Sequence, residues 1–360
     1  MGLKYARRVS NKIANNSIVF NTPNEFFNIY IDGPLLLFNK KTITLLENEN
    51  TTLDEITNSV FSAFMELFFQ IKSKYKNMII REVLIVFDGK RIKFKELRLK
   101  PNRKLIQRYA TDESFSIYDI TEKINGFLKK VGICDHIKFL VLNQGEAENE
   151  IVFTRNSDLH SLIISNDSDM NHICYNYTKQ SKNDIIFVYV PQTNILKNMD
   201  LYRTKIPKNV FKILLFMGGT DFNPPALSTT MLEAMFQLLL SETEHKNKEI
   251  QEYVNDLLNY EGSDVIYVMH KIIHLLIFHR KSISISFRKL SSTTKETTFE
   301  EMSHYIKIID WLLSYSNNGY LECPDLYVIK SINAFQLYRH LGLKINCIKC
   351  FSKIYEKNGF

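Results

Sequence analysis

The chain has 360 residues, 45% of them hydrophobic and 24% charged, with a formal net charge of +7. That is an ordinary globular composition with length for one large or two smaller domains; it excludes a disordered or fibrous chain and is compatible with a polyanionic partner. Five scattered cysteines, an odd number, exclude a disulfide framework and point to an intracellular, reducing compartment. The longest apolar run, Val265 to Phe278, is interrupted by His270, Lys271 and His274 and is too short and polar for a membrane span. The polar, basic first residues carry no secretory pattern. No membrane association is expected.

In chain order, residues 28–32 read as a strand ending in Asp32, followed by the apolar segment Leu35 to Phe38. Residues 51–74 repeat apolar side chains at three- and four-residue steps, and Thr52 with Glu55 fits a capping box, so a helix is expected. A second strand over 82–88 runs into Asp88-Gly89. From Lys90 to Arg108 there are nine basic residues and one acid, Glu96. A one-signed run directly after a strand-end acid points to phosphate contact rather than to a merely solvated face. Lys90, Arg91, Lys93, Lys95, Arg98, Lys100, Arg103, Lys104 and Arg108 are the candidate contacts. A helix is expected over 119–131. A third strand, 137–142, precedes Glu146-Ala147-Glu148, which opens a helix whose first turn favours acids. A fourth strand, 160–165, ends in Asn166-Asp167-Ser168-Asp169, and a fifth covers 184–190. Strands alternating with helical patterns predict an α/β fold around a mostly parallel sheet.

Beyond about residue 200 the pattern becomes helical. Helices are expected over 207–217 (ending at Gly218-Gly219-Thr220-Asp221), 227–241, 246–259, 263–279, 299–316 and 325–340, with a Ser/Thr/Lys-rich loop over 281–298. The stripe of Tyr267, His270, His274 and Phe278 reads as core and groove lining, and Trp311 as core. Cys347-Ile-Lys-Cys350 is a lone CxxC, with only Cys323 and His340 near in sequence. It reads as two ordinary thiols rather than as a zinc site.

Seven carboxylates stand at strand or helix ends: Asp32, Asp88, Glu146, Glu148, Asp167, Asp169 and Asp221. In an open parallel sheet, sites form beyond the carboxyl ends of the strands. Acids gathered at one point resist ionisation unless cations join them, and hard oxygen donors select Mg²⁺, with Mn²⁺ as a substitute. Two such ions about 4 Å apart activate a water and stabilise the leaving oxygen of a phosphodiester. An acidic pocket with a basic rim is what metal-assisted phosphodiester hydrolysis requires.

The ordered set resembles the flap endonuclease/XPG class of structure-specific 5′ nucleases. The likeness is carried by Met1-Gly2-Leu3, Ile31-Asp32, Val86-Phe87-Asp88-Gly89, Gly145-Glu146-Ala147-Glu148, Ser165 to Asp169 and Met217 to Phe222. The segment Ile92 to Lys104 looks closest to the poxvirus flap-endonuclease-like proteins. The resemblance implies a PIN-like nuclease core over 1–222, with 91–136 as a helical arch admitting a 5′ single strand, and a helical region over 223–360 able to bind duplex DNA. It implies that the seven acids are ligands of two Mg²⁺ ions or their water-mediated outer shell. Lys93, Lys100 and Arg103 would steer the scissile phosphate, and Gly2 would lie near the active site with the other basic residues on DNA. The expected substrate is DNA with 5′ flaps, ends or junctions, cut by a monomer during replication, repair or recombination. A poxvirus-type protein would work in the host-cell cytoplasm, and any other in the nucleus. The chain departs from the family after Asp221: Asn223-Pro224-Pro225-Ala226 replaces the Gly-rich helix-two-turn-helix that grips duplex and can hold K⁺. Two alternatives stay open, a DNA-binding scaffold on the same fold and a metal-dependent RNase.

Overall fold

A computed structural model describes residues 26–48, 50–89, 116–167, 170–174, 184–199, 206–220, 222–241, 247–278, 296–318, 329 and 332–344. The chain divides into two compact units, residues 10–203 with 318–322, and residues 1–9 with 204–317 and 323–360.

The first unit is a six-stranded sheet in the order β3-β2-β1-β4-β5-β6. Its strands are β1 (Phe26–Asp32), β2 (Ile79–Phe87), β3 (Ile137–Val141), β4 (His160–Ile164), β5 (Ile186–Val190) and β6 (Ile195–Asn198). The first five run parallel, and β6 returns antiparallel to β5. The α/β class and the mostly parallel sheet are as expected; β6 was not. Its turn, Pro191 to Asn194, closes with Asn194 at φ +55°, where Lys74 Nζ and Tyr189 Oη both donate to Asn194 Oδ1 at 2.6 and 2.9 Å.

Alternation along β1 divides the sheet's two faces. Phe27, Ile29 and Ile31 join one hydrophobic core with Val83, Ile85, Phe87, Leu162 and Ile164. Covering that core are α1 (Pro34–Leu37), α2 (Lys40–Glu47), α3 (Leu53–Lys74) and α4 (Ile117–Lys130). The capping box on α3 is present: Thr52 Oγ1 accepts from Glu55 N, and Thr52 N donates to the Glu55 carboxylate. Ile120, Ile124 and Leu128 of α4 are buried in the core. Residues 117–130, expected within the arch, therefore belong to the body of the fold. Residues 90–115, with the whole basic run, lie outside the described residues.

The opposite face carries Asn28, Tyr30 and Asp32, all buried, and opposite Asn28 in register is Ser161. Here α5 (Ala147–Thr154) packs on β1 and β2, with α6 (Met170–Ile173) beside it.

The second unit is helical: α7 (Lys208–Met217), α8 (Thr229–Leu240), α9 (Lys248–Leu258), α10 (Val265–Phe278), α11 (Phe299–Asn318) and α12 (Ala334–Lys344). Its hub is α10, which packs against α7, α8, α9 and α12. The last helix starts later than the expected 325–340. His270 is buried and stacks on Tyr338 at 4.7 Å, while His274 stacks on Tyr253 at 4.3 Å and meets Tyr338 Oη through Nδ1 at 3.0 Å. Trp311 is buried against Phe222. Trp311 and His270 take the core roles expected of them, whereas Tyr267 and His274 are only partly buried and Phe278 is exposed, at 51%. No described helix is long and apolar enough to cross a membrane. The CxxC pair and most of the 281–298 segment lie outside the described residues.

Candidate functional site

Strand order reverses between β1 and β4, the switch point where open α/β sheets form their crevice. Asp32 ends β1 at this point, and Ser165-Asn166-Asp167 follows β4. The first strand-to-helix turn reads Asp32-Gly33-Pro34 rather than a Gly-rich phosphate fingerprint, which argues against a dinucleotide site. Two glycines make close approach possible. A Cβ on Gly33 would stand 2.5 Å from Phe87 Cδ1 and 2.7 Å from Val86 O, and Gly33 N donates to Val86 O at 2.6 Å. A Cβ on Gly89 would meet Gln144 N at 2.5 Å, and Gly89 N donates to Gly145 O. The loops after β1, β2 and β3 are thereby drawn against one another.

The acids are held by short-range hydrogen bonds. Ser165 Oγ donates to Asp32 Oδ2 at 2.8 Å and accepts from Asp167 N at 2.9 Å, so one buried hydroxyl ties the end of β1 to the loop after β4. Asp88 Oδ1 accepts from Ala147 N at 2.9 Å, capping the first turn of α5, whose own N-cap residue is Glu146. Glu148 lies in that turn and is buried. Gln192 N, in the β5–β6 turn, donates to Asn166 Oδ1 at 3.0 Å and fixes the Asp167 loop from the far side.

Charge shows that the acids converge. Burial, then the Asp88 carboxylate, and more weakly that of Asp167, push the Asp32 carboxyl up to about 7 against the opposing Ser165 hydrogen bond. Burial drives Glu148 well above the carboxylate range, helped by Asp32, Asp88 and Glu146. Five of the seven predicted acids thus feel one another: Asp32, Asp88, Glu146, Glu148 and Asp167. Asp169 and Asp221 lie outside the described residues, as do Gly2, Lys93, Lys100, Arg103 and the remaining basic candidates. Among the described residues no group of three His, Cys, Asp or Glu is drawn together tightly enough to hold an ion by itself. The donor set nonetheless suits a hard cation. All its donors are carboxylate oxygens, and Asp32 Oδ1 is buried with no hydrogen-bond partner among the described atoms.

Ser165 and Asn166 belong to a segment singled out from the sequence, but neither was expected to have a role in the site. The signals were their place in that segment and polar side chains standing directly after a fully buried apolar strand. After α7, the turn where the sequence departs from the Gly-rich pattern is built on Asn223. Its Nδ2 donates to Phe216 O at 2.9 Å, and Thr220 Oγ1 donates to its Oδ1 at 2.6 Å.

No family model matches the chain, and no curated protein sequence matches it. Among solved structures it is similar to the catalytic core of Rad2 in complex with DNA substrate, at 12% identity over 95% of this chain and 94% of that one, with a TM-score of 0.43. It is also similar to the bacteriophage T5 flap endonuclease in a pseudo-enzyme-product complex with DNA and metal ions, at 14% identity over 80% of this chain and 99% of that one, with a TM-score of 0.32. The same phage protein co-crystallised with metal ions matches at 13% identity over 80% and 99% of the two chains, with a TM-score of 0.34.

Proposed function

We propose that the chain is a divalent-metal-dependent, structure-specific 5′ nuclease that hydrolyses phosphodiesters at DNA flaps, ends or junctions. One observation carries this reading: acids from the ends of β1 and β2, the loop after β4 and the first turn of α5 raise one another's proton affinity at the switch point. Such mutual repulsion inside a chain of net charge +7 is relieved by bound cations.

Asp32, Asp88, Glu148 and Asp167 would hold the ions, with Glu146, Asp169 and Asp221 completing the set. Two Mg²⁺ ions, when bound, supply an activated water and stabilise the leaving oxygen. The chain's own part is orientation. Ser165 Oγ engages Asp32 Oδ2, so that the unpartnered Oδ1 would serve an ion, and Ala147 N fixes the Asp88 carboxylate through Oδ1. The basic segment from Lys90 to Arg108 would track the 5′ strand, with Lys93, Lys100 and Arg103 nearest the scissile phosphate. The likeness of Ile92 to Lys104 to poxvirus flap-endonuclease-like proteins favours a viral protein acting in the host-cell cytoplasm.

The test is cleavage of a 5′-labelled flap with Mg²⁺, with EDTA and by Asp167→Ala. Cutting near the junction that needs Mg²⁺ and falls more than about a hundredfold in the variant supports the assignment. Equal cutting by parent and Asp167→Ala overturns it. Flap binding without cutting under Mg²⁺ or Mn²⁺ favours the scaffold reading, and a preference for RNA of the same shape favours the RNase.

A further inference from the structure

The helix that carries Glu146 and Glu148 is only eight residues long. Two turns do not hold themselves in water, so the position of α5 is set by its attachments. At its first turn the attachment is Asp88, itself one of the acids of the candidate site. At its other end the attachments lie away from those acids in sequence and are made by buried side chains. Arg155, the residue that ends the helix, pairs its guanidinium with the Asp184 carboxylate just ahead of β5, and both side chains are buried, at 7% and 0% exposure. Asn156 N donates to Tyr30 Oη at 2.9 Å. Tyr30 is buried on β1, two residues before Asp32 on the same face. Between the two ends, Ala147 and Ile151 are fully buried. The helix therefore spans the face of the sheet, from the Asp184 end to the acid end, a rise of about 12 Å.

We propose that Arg155, Asp184 and Tyr30 are positioning residues for the metal centre, seating α5 so that Glu148 is presented on the face of the sheet that carries Asp32. This inference rests on the nuclease reading above. Without the lower attachment the short helix α5 loses its fixed seat, and binding an ion must first order the turn that carries Glu148. Metal affinity then falls while the fold persists. A merely structural ion pair behaves differently: buried pairs replaced by apolar residues of similar volume often leave stability unchanged or raised, with no effect elsewhere.

The experiment is a Mn²⁺ titration of the full chain without DNA, read by the electron paramagnetic resonance signal of free Mn²⁺, alongside thermal melting. The variants are Arg155→Met with Asp184→Leu, Tyr30→Phe, and Ile124→Val in α4 as a packing control. The expected result is at least a tenfold weaker Mn²⁺ affinity in the double variant at near-parental melting temperature, a smaller loss in Tyr30→Phe, and parental affinity in Ile124→Val. If the double variant does not fold, Tyr30→Phe decides the question by the same reading. Parental Mn²⁺ affinity in the folded Arg155, Asp184 and Tyr30 variants overturns the positioning role and leaves the nuclease reading standing. A parent chain that takes up no Mn²⁺ overturns both.

Discussion

At Asp32 burial and the neighbouring carboxylates act together against the ionised form, and the Ser165 hydrogen bond opposes them. The ordinary value of this carboxyl is 3.8, and in the folded, metal-free chain it stands at about 7. A carboxyl raised on folding favours the protonated native state. Its contribution to stability is full below the ordinary value and is lost as pH rises through about 7. In EDTA the melting temperature should therefore fall more between pH 5 and pH 8 in the parent than in Asp32→Asn, and Mn²⁺ at pH 8 should restore it in the parent alone. Identical pH profiles for the two proteins would remove Asp32 from the acid cluster. Gly33 makes a second prediction at this scale. An added methyl must displace Phe87 or the Val86 carbonyl, so Gly33→Ala should cost about 1–3 kcal/mol in urea denaturation. An unchanged midpoint would show that the turn has room.

Among the elements, α10 organises the helical unit, and its buried His270 gives it a pH limit. Desolvation, aided by Lys271, lowers this imidazole to about 4 from 6.5. The group is held neutral, so the stability it supports is present above the ordinary value and is lost as pH falls through about 4. His270→Phe, which keeps a ring for Tyr338 to stack on, should lessen acid unfolding over that window, as followed by circular dichroism. An unchanged acid limb would place the sensitivity elsewhere.

Elements of this kind were readable because apolar periodicity and end signals agreed. The Thr52–Glu55 box marked α3, the run Ile29 to Ile31 ended in Asp32 at the true strand end, and the run Leu162 to Ile164 ended at the true end of β4, three residues before Asp167. Strand β6 was not readable: Ile195 to Asn198 is four residues with no alternation, and its placement depends on how Lys74 and Tyr189 hold Asn194. The same holds for α4. Its amphipathic pattern was clear, but its partner surface on α3 and β3 is a tertiary fact. Within the site, the acids announced themselves by position. Ser165, Asn166 and the Arg155–Asp184 pair did not, because each acts through a partner distant in sequence.

On the scale of the whole chain, a net charge of +7 sits beside a cluster of acids of which Asp32 and Glu148 are buried. On the proposed function, affinity for DNA should come from the basic segment and cleavage from the acids, and the two should separate under salt. Raising monovalent salt from about 50 to about 200 mM should weaken flap binding by on the order of a thousandfold if six or more phosphates are contacted. Lys93→Ala should flatten the slope of log affinity against log salt by about one and slow cleavage, while leaving Mn²⁺ uptake near parental. A slope unaltered by Lys93→Ala and Lys100→Ala alike would move the DNA path away from this segment.

If the chain cuts DNA as proposed, the bond from Ala147 N to Asp88 bears on how it is to be caught on uncut substrate. An inert version must remain a faithful scaffold, and Asp88→Ala would not be one, since it uncaps α5 and loosens the very turn that presents Glu148. A substitution at Asp167, in a loop already gripped by Ser165 and by Gln192 through Asn166, leaves that helix cap in place. Decoys built at Asp167 should trap intact flaps in a native cradle, whereas decoys built at Asp88 would record a relaxed one.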